Sequence, residues 1–152
     1  MTQTGSAPIR ELARTHFDRV RGGWERGDVS SLDEVYSDDL VNHIPPFPDL
    51  DKAGLGDFMT GFHQAFPDFS VEEDELVVDG DTTVQRWHCT GTYTGRSSLL
   101  PVPPTGRSTR ASGVLMAHWR EGRISELWHF GDWMGWLTAA GVVPPLGATD
   151  AG

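Results

Sequence analysis

The chain predicts an α+β fold, and three observations predict it. Apolar residues recur at helical spacing in the first 66 positions. From Phe69 to Phe130 the period changes to two, in four runs rich in β-formers. Strands and helices do not alternate as crossover units would require, so a parallel α/β sheet is excluded. N-terminal helices packed on one face of a curved antiparallel or mixed sheet give a cone-shaped α+β barrel. Such a cone has an apolar interior and, left open at one end, encloses a pocket.

Ser6 followed by Pro8 starts the first helix, since Pro suits the first turn. Ile9, Leu12, Ala13, Phe17, Val20 and Trp24 then repeat at three and four, giving an amphipathic helix that Gly27 stops. Ser31-Leu-Asp-Glu34 is a capping-box pattern that opens a short second helix through Tyr36. Leu40 to Ile44 reads as a short strand ended by Pro45 and Pro46. Leu55, Phe58, Met59, Phe62 and Phe66 define a third helix, closed by Pro67. Phe69 to Val78 is a strand, Asp79-Gly80 a hairpin turn, and Thr82 to Tyr93 the return strand. A Gly- and Pro-rich loop over 94–106 leads to a strand at Ser108 to Trp119. Glu121-Gly122 turns it into the last strand, Arg123 to Phe130. A closing helix spans 133–140, with Gly141 in the left-handed cap position. The whole reads as a single domain over 1–152, with its core at about 9–141 and loose tails at 1–5 and 144–152.

Composition removes whole classes of function. The net charge is -10, and Lys52 is the single lysine, so a nucleic-acid partner is not expected. No apolar run has membrane-spanning length. The N-terminus lacks a basic region followed by an apolar core, so it does not read as a secretory signal. The single Cys89 excludes an internal disulfide and a multi-thiolate metal site. These features point to the cytoplasm. Six Trp and seven Phe are many for 152 residues, an excess that suits an apolar ligand pocket.

The motifs of cofactor chemistry are missing. The histidines stand at 16, 43, 63, 88, 118 and 129, with no H-x-H or H-E-x-x-H spacing. There is no P-loop, no G-x-G-x-x-G and no G-x-S-x-G elbow. No metal and no cofactor is expected, which leaves acid/base chemistry in a pocket. Asp132 is the main candidate. It ends the last strand among Trp128, Trp133 and Trp136, and apolar surroundings turn a carboxylate into a useful acid/base. The same residue suits a helix N-cap, since Trp133, Trp136, Leu137 and Ala140 follow at helical spacing.

Parity selects further candidates. With Gly122 as the left-handed residue of a three-residue turn, His118 faces Ile124 and shares its side of the sheet with Trp128 and Asp132. Glu126 falls on that side too, where a bulge would be needed to turn it outward. His43, before the Pro turn, either hydrogen-bonds locally or projects into the cavity. Arg86 and His88 have the opposite parity to Trp87, and either set can face inward. Trp24 ends the apolar stripe of the first helix.

The order and spacing of several segments resemble the SnoaL-like polyketide cyclases, within the nuclear-transport-factor-2-like and ketosteroid-isomerase-like superfamily. They are Tyr36-Ser-Asp-Asp-Leu-Val-Asn-His43, Thr90-Gly-Thr-Tyr-Thr-Gly95, Pro103-Pro-Thr-Gly-Arg107, Glu121-Gly-Arg-Ile124 and Trp128-x-x-x-Asp132-x-x-Gly135-x-Leu137. The resemblance runs from about residue 9 to residue 141. It implies a catalytic acid/base at Asp132, with Trp24 and Asn42 lining the pocket. It also implies a basic residue at the position of His118 and, often, a His at that of His43. His118 departs from the more common Arg, and Trp133 and Trp136 stand where the family varies.

The expectation is therefore an aldol-type cyclase acting on a small hydrophobic, polyketide-like substrate. Asp132 would move the proton while His118 and His43 hydrogen-bond carbonyl oxygens. Trp24, Phe62, Trp128 and Trp87 would wall the folded substrate, with Arg86 and His88 as further contacts. An epoxide-opening enzyme, with Arg86 in an Asp-Arg-Asp network, an isomerase, and a non-catalytic binding domain are the alternatives. A homodimer, or a higher homo-oligomer, is expected, because an open curved sheet leaves its outer face uncovered and Leu99-Leu-Pro-Val-Pro-Pro104 adds apolar surface.

Overall fold

A computed structural model describes residues 8–145 and 147. The expected tails at 1–5 and over most of 146–152, and the Ser6 start signal, lie outside them. Helix α1 spans Ile9–Arg26, and Gly27 ends it at φ 70°. The short α2, Leu32–Val35, runs directly into β1, Tyr36–His43. Ser31 precedes α2 but makes no side-chain cap, so the capping-box pattern does not close. Helix α3 spans Lys52–Ala65 and begins earlier than its apolar residues indicate. Asp51 caps it, accepting from the Gly54 N–H at 2.7 Å.

Four strands follow: β2 Ser70–Asp79, β3 Thr82–Thr92, β4 Ser108–Arg120 and β5 Arg123–Gly131. Helix α4, Trp133–Ala139, comes after them, with Gly141 at φ 80° behind it. The sheet order is β1-β5-β4-β3-β2, antiparallel except where β1 runs parallel to β5. The expected α+β architecture is present, with helices on the concave face of a mixed, bent sheet. No helix among the described residues is long and apolar enough to cross a membrane.

One turn differs from its sequence reading, and the difference sets the site. Glu121 and Gly122 both take positive φ, 54° and 79°, and Arg120 pairs with Arg123. This is a two-residue turn of the kind that matches strand twist, not a three-residue one. Trp119 pairs with Ile124 and His118 with Glu126, which leaves Ser125 as an extra residue on β5. The bulge puts Ile124, Leu127 and His129 on the inner face. It puts Glu126 and Trp128 on the outer one, where His118 of β4 also lies.

The inner face of β3 carries Thr83, Gln85, Trp87 and Cys89, all buried. Gly113 on β4 faces Gly131 on β5, and the Trp87 indole lies over both. A Cβ would come within 2.5 Å of Trp87 at Gly113 and 2.8 Å at Gly131. Gly113 has less freedom, because its Cβ would also meet the Phe130 carbonyl at 2.5 Å. The two glycines form the seat of a cavity wall. Gly113→Ala is expected to destabilise by about 1–3 kcal/mol through overpacking, and Gly131→Ala by less. Urea denaturation of both variants measures this, and equal, near-zero losses would contradict the seat.

Candidate functional site

The concave face and α1 enclose a predominantly apolar cavity with about 70 Å³ of open space. Ala13, His16, Phe17, Val20, Arg21 and Trp24 contribute the α1 wall. Val35, Tyr36, Phe69, Val71, Gln85, Trp87, Leu115, Ile124, His129 and Trp133 form the rest. The helical period of α1 explains the first group, which is the apolar stripe that the sequence shows. Trp24 anchors it, with its ring 5.4 Å from Phe62 and 6.2 Å from His129.

Two of the lining residues are histidines with little solvent around them. His129 is 9% exposed, and burial pushes its imidazole down to about 4. It is therefore neutral at physiological pH. Its Nε2 is buried with no hydrogen-bond partner. His16 is 4% exposed and stacks on Trp119 at 5.2 Å. Burial lowers its pKa too, while the hydrogen bond to the Gly122 carbonyl works the other way. That bond, 3.1 Å long, fixes the tautomer: a carbonyl only accepts, so Nε2 carries the proton and the ring's Nδ1 holds a lone pair. Burial also raises the Tyr36 phenol, which stays protonated. Among the described residues no Asp or Glu lines the cavity.

The structure divides the sequence-derived candidates between two faces. Trp24 and Trp87 line the cavity. Phe62 is buried in the aromatic core behind Trp24, and Asn42 is fully buried with both amide atoms unpaired. Neither is among the cavity-lining residues. Arg86 and His88 face outward. Arg86 reaches Asp74 and Glu75, and His88 bonds Asp74 at 2.8 Å. The Asp-Arg-Asp network considered for epoxide opening thus loses Arg86, because Trp87 has the inward parity on β3, and the arginine in the cavity wall is Arg21 of α1.

Trp128, turned out by the bulge at Ser125, lies outside with His118 of β4 and His43 of β1. His43 stacks on Trp128 at 5.3 Å, and His118 meets its edge at 4.8 Å. Glu126 binds His43 Nε2 at 2.8 Å and raises its pKa, assisted by Asp49 at 2.9 Å on Nδ1. The predicted companionship of His118 and Trp128 is present, on the opposite face from the one expected.

Asp132 is exposed at the end of β5. It caps α4, accepting from the Gly135 N–H at 2.8 Å. Trp133 and Trp136 turn inward without it, so the enclosing aromatic surface expected around this carboxylate does not form. Among the described residues no group of three or more His, Cys, Asp or Glu is placed to hold a metal ion.

Sequence reasoning misses His16, His129, Tyr36, Gln85 and Trp133 as cavity residues. His16 is visible in principle, one turn from Ala13 on the apolar stripe. His129 is not, because only the bulge turns it inward.

Comparison with known proteins gives a consistent result. The profile described as SnoaL-like polyketide cyclase matches residues 14–140. No curated protein sequence matches the chain. The fold is similar to that of a protein from Jannaschia sp. CCS1 described as a SnoaL-like polyketide cyclase. That match has a TM-score of 0.77 and 21% identity, over 93% of this chain and 99% of the other. IdmH from Streptomyces antibioticus, described as a polyketide cyclase, matches at TM-score 0.69 and 27% identity, over 85% and 98%. AclR from Streptomyces galilaeus, described as a hydroxylase, matches at 0.75 and 23%, over 91% and 86%.

The buried imidazole has a thermodynamic signature. Folding lowers the His129 pKa from its ordinary value of 6.5 to about 4. The unfolded chain therefore binds the extra proton first as pH falls. The neutral ring's contribution is complete above 6.5 and is lost between 6.5 and 4, in total roughly 3 kcal/mol. His43 has the opposite slope, since its raised pKa adds stability at low pH that is lost as pH rises past the folded value. Denaturation at about pH 7.5 and about pH 4.5 is expected to show a smaller difference for His129→Phe than for the native chain. An unchanged difference would mean that His129 is not held neutral.

Proposed function

The chain belongs to the SnoaL-like polyketide cyclase family, and from that premise we propose that it closes a ring in a small polyketide-like substrate by an intramolecular aldol reaction. The observation that carries the reading is the aromatic-walled cavity under α1. Its apolar surface holds a flexible chain folded on itself, so that the reacting carbons meet.

Proton transfer is the one task left to the protein. A carbon between two carbonyls is already acidic, so a modest base removes its proton and no metal or redox cofactor is required. The enolate carbon attacks the second carbonyl of the same molecule, forming the C–C bond. The alkoxide then takes back the proton, and no net proton is consumed. Following the family resemblance, Asp132 is the proposed acid/base. His129, three residues earlier and inside the cavity, is the neutral hydrogen-bonding group for a carbonyl oxygen where charge builds up. Trp24, Trp87 and Trp133 hold the substrate.

One observation favours a second reading, a non-catalytic small-molecule-binding domain: among the described residues the cavity lining contains no carboxylate. The following variants separate the two. Asn caps a helix about as well as Asp but takes no proton, so Asp132→Asn is expected to fold normally. On a linear poly-β-ketone it is expected to lose turnover by roughly 10²–10⁴-fold. His129→Phe is expected to lose less, since it removes a hydrogen bond and not the base. If Asp132→Asn retains native turnover while His129→Phe abolishes it, the base is the imidazole. If the native protein binds the ketone and never closes it, the binding reading holds.

We further propose a homodimer, or a higher homo-oligomer, formed through the outer sheet face. Phe130 and Val77 there are 54% and 51% exposed, and Val41 is 40% exposed. Trp128 and Met116 pair between them on β5 and β4. Sedimentation is expected to give twice the 16.7 kDa chain mass or more at micromolar concentration. Phe130→Asp is expected to shift the protein toward monomer. A native monomer would remove this proposal.

A further inference from the structure

Several polar groups in the wall of the cavity under α1 are engaged or sealed. Three atoms, His16 Nδ1, His129 Nε2 and Trp133 Nε1, are closed off even from water. Gln85 gives its amide N–H to Glu73 at 3.1 Å. The Tyr36 hydroxyl is neither engaged nor sealed. It has no hydrogen-bond partner among the described residues, and it is not one of the buried atoms that water fails to reach. Tyr36 is only 3% exposed and lines the cavity, so the space that reaches its oxygen is the cavity itself.

Its surroundings make this hydroxyl a fixed donor. The Tyr36 N–H bonds the Leu32 carbonyl at the end of α2, and the residue pairs with Ile124 at the start of β1. A helix end and a strand thus hold the backbone behind the phenol. Burial raises the phenol's pKa, so the O–H persists in neutral solution. A buried hydroxyl without a partner costs folding energy, and buried tyrosines usually pair theirs. A ligand that offers an oxygen acceptor removes that cost. The indole N–H groups of Trp24 and Trp87 on the same wall also only donate. A carbonyl entering the cavity therefore meets donors, and the phenol is the most acidic of them.

We infer that Tyr36 is the donor that seats a ketone oxygen in the cavity. The ligand class is a ketone with an apolar body, its carbonyl at the phenol and its carbon skeleton against the aromatic wall. This deepens the proposed cyclase, and it rests on that reading for the claim that the cavity is the reaction chamber. There the phenol meets a carbonyl whose oxygen gains charge as the ring closes. Tyr36 is distinct from His129, so substitution separates the two contributions.

The test uses cyclopentanone and methylenecyclopentane, chosen small because the open space is about 70 Å³. They share a ring and differ in the acceptor, a carbonyl against a methylene group. Binding to the native protein and to Tyr36→Phe is followed by NMR titration. The substitution is expected to weaken cyclopentanone about tenfold, the loss of one hydrogen bond, and to leave methylenecyclopentane unchanged. The infrared carbonyl stretch of bound, isotopically labelled cyclopentanone is expected to lie below its position in an alkane solvent, and to rise again in Tyr36→Phe. The hydroxyl has no partner to lose, so the unliganded variant is expected to keep the native urea midpoint.

A native protein that does not bind cyclopentanone, or binds it with an alkane-like carbonyl stretch, overturns the inference. So does Tyr36→Phe with native affinity for cyclopentanone, with an equal loss of both probes, or with an unmoved stretch. A Tyr36→Phe chain that is strongly destabilised or fails to fold overturns it too, since the hydroxyl would then already be paired within the protein. These readouts are separate from ring closure. A protein that meets them yet closes no ring refutes the proposed function and leaves this inference standing. One that closes rings with the stretch unshifted refutes this inference alone.

Discussion

The extra residue on β5 opposite the His118–Trp119 step governs the site. Strand parity is unforgiving, because shifting a strand by one residue exchanges its two faces. Without Ser125 looped out, the alternation that puts Ile124 inside would bring Glu126 inside next. An unpaired carboxylate in an apolar cone costs several kcal/mol. The bulge removes that cost by turning Glu126 outward, where it binds His43 at 2.8 Å. The same step carries Leu127 and His129 inward and Trp128 outward. One residue of slack thus decides which imidazole meets the cavity, and which indole covers the outer face.

The cavity is small because the aromatic residues fill most of the cone. Trp136 is fully buried and lies 5.0 Å from Phe66 and 5.7 Å from Phe62. Gly91 leaves room for it, since a Cβ there would meet the indole at 3.1 Å. Thr109 donates to the Trp136 carbonyl and fixes α4 across β4. Trp133, one position past the Asp132 cap, turns toward Trp87 at 6.3 Å and completes the wall. Helix α4 therefore has two functions. Its inner face plugs one end of the cone, and its first residue contributes to the site.

Much of the fold is legible in the residues. The helical stripe of α1, the Asp79-Gly80 and Glu121-Gly122 turns, and Gly27 and Gly141 as left-handed caps follow from local rules. Asp51 escapes them because its cap precedes the first apolar residue of α3. The site is less legible, and the cause is specific. Reading parity through a turn requires its loop length, and Glu121 at positive φ is an unusual non-glycine choice that makes the turn two residues long. Ser125 then adds a bulge that alternation alone does not reveal. Both irregularities fall between His118 and Ile124 or just beyond it, so the placements of His118 and Trp128 depend on them, and that of His129 is hidden by them. On β3, where no irregularity intervenes between Trp87 and Cys89, the sequence reduces the choice to two sets and the packing selects Trp87.

Asp132 poses the remaining mechanistic question, and magnitudes bear on it. Its carboxylate is bound to the Gly135 N–H, outside the cavity lining, in a bond of about 1 kcal/mol. Turning the carboxylate toward a substrate in the cone would at most exchange that bond, which engages one of its two oxygens, for one to the substrate. General acid/base catalysis contributes about 10²–10⁴-fold, or roughly 3–5 kcal/mol of barrier. The exchange therefore costs less than the catalysis returns, and capping and catalysis are compatible in one residue. The imidazoles face the reverse balance. They are already inside and neutral, so the recognition proposed for His129 would need no such rearrangement. The proposed division of labour then rests on placement: a carboxylate at the strand end for proton transfer, and a buried neutral histidine for recognition.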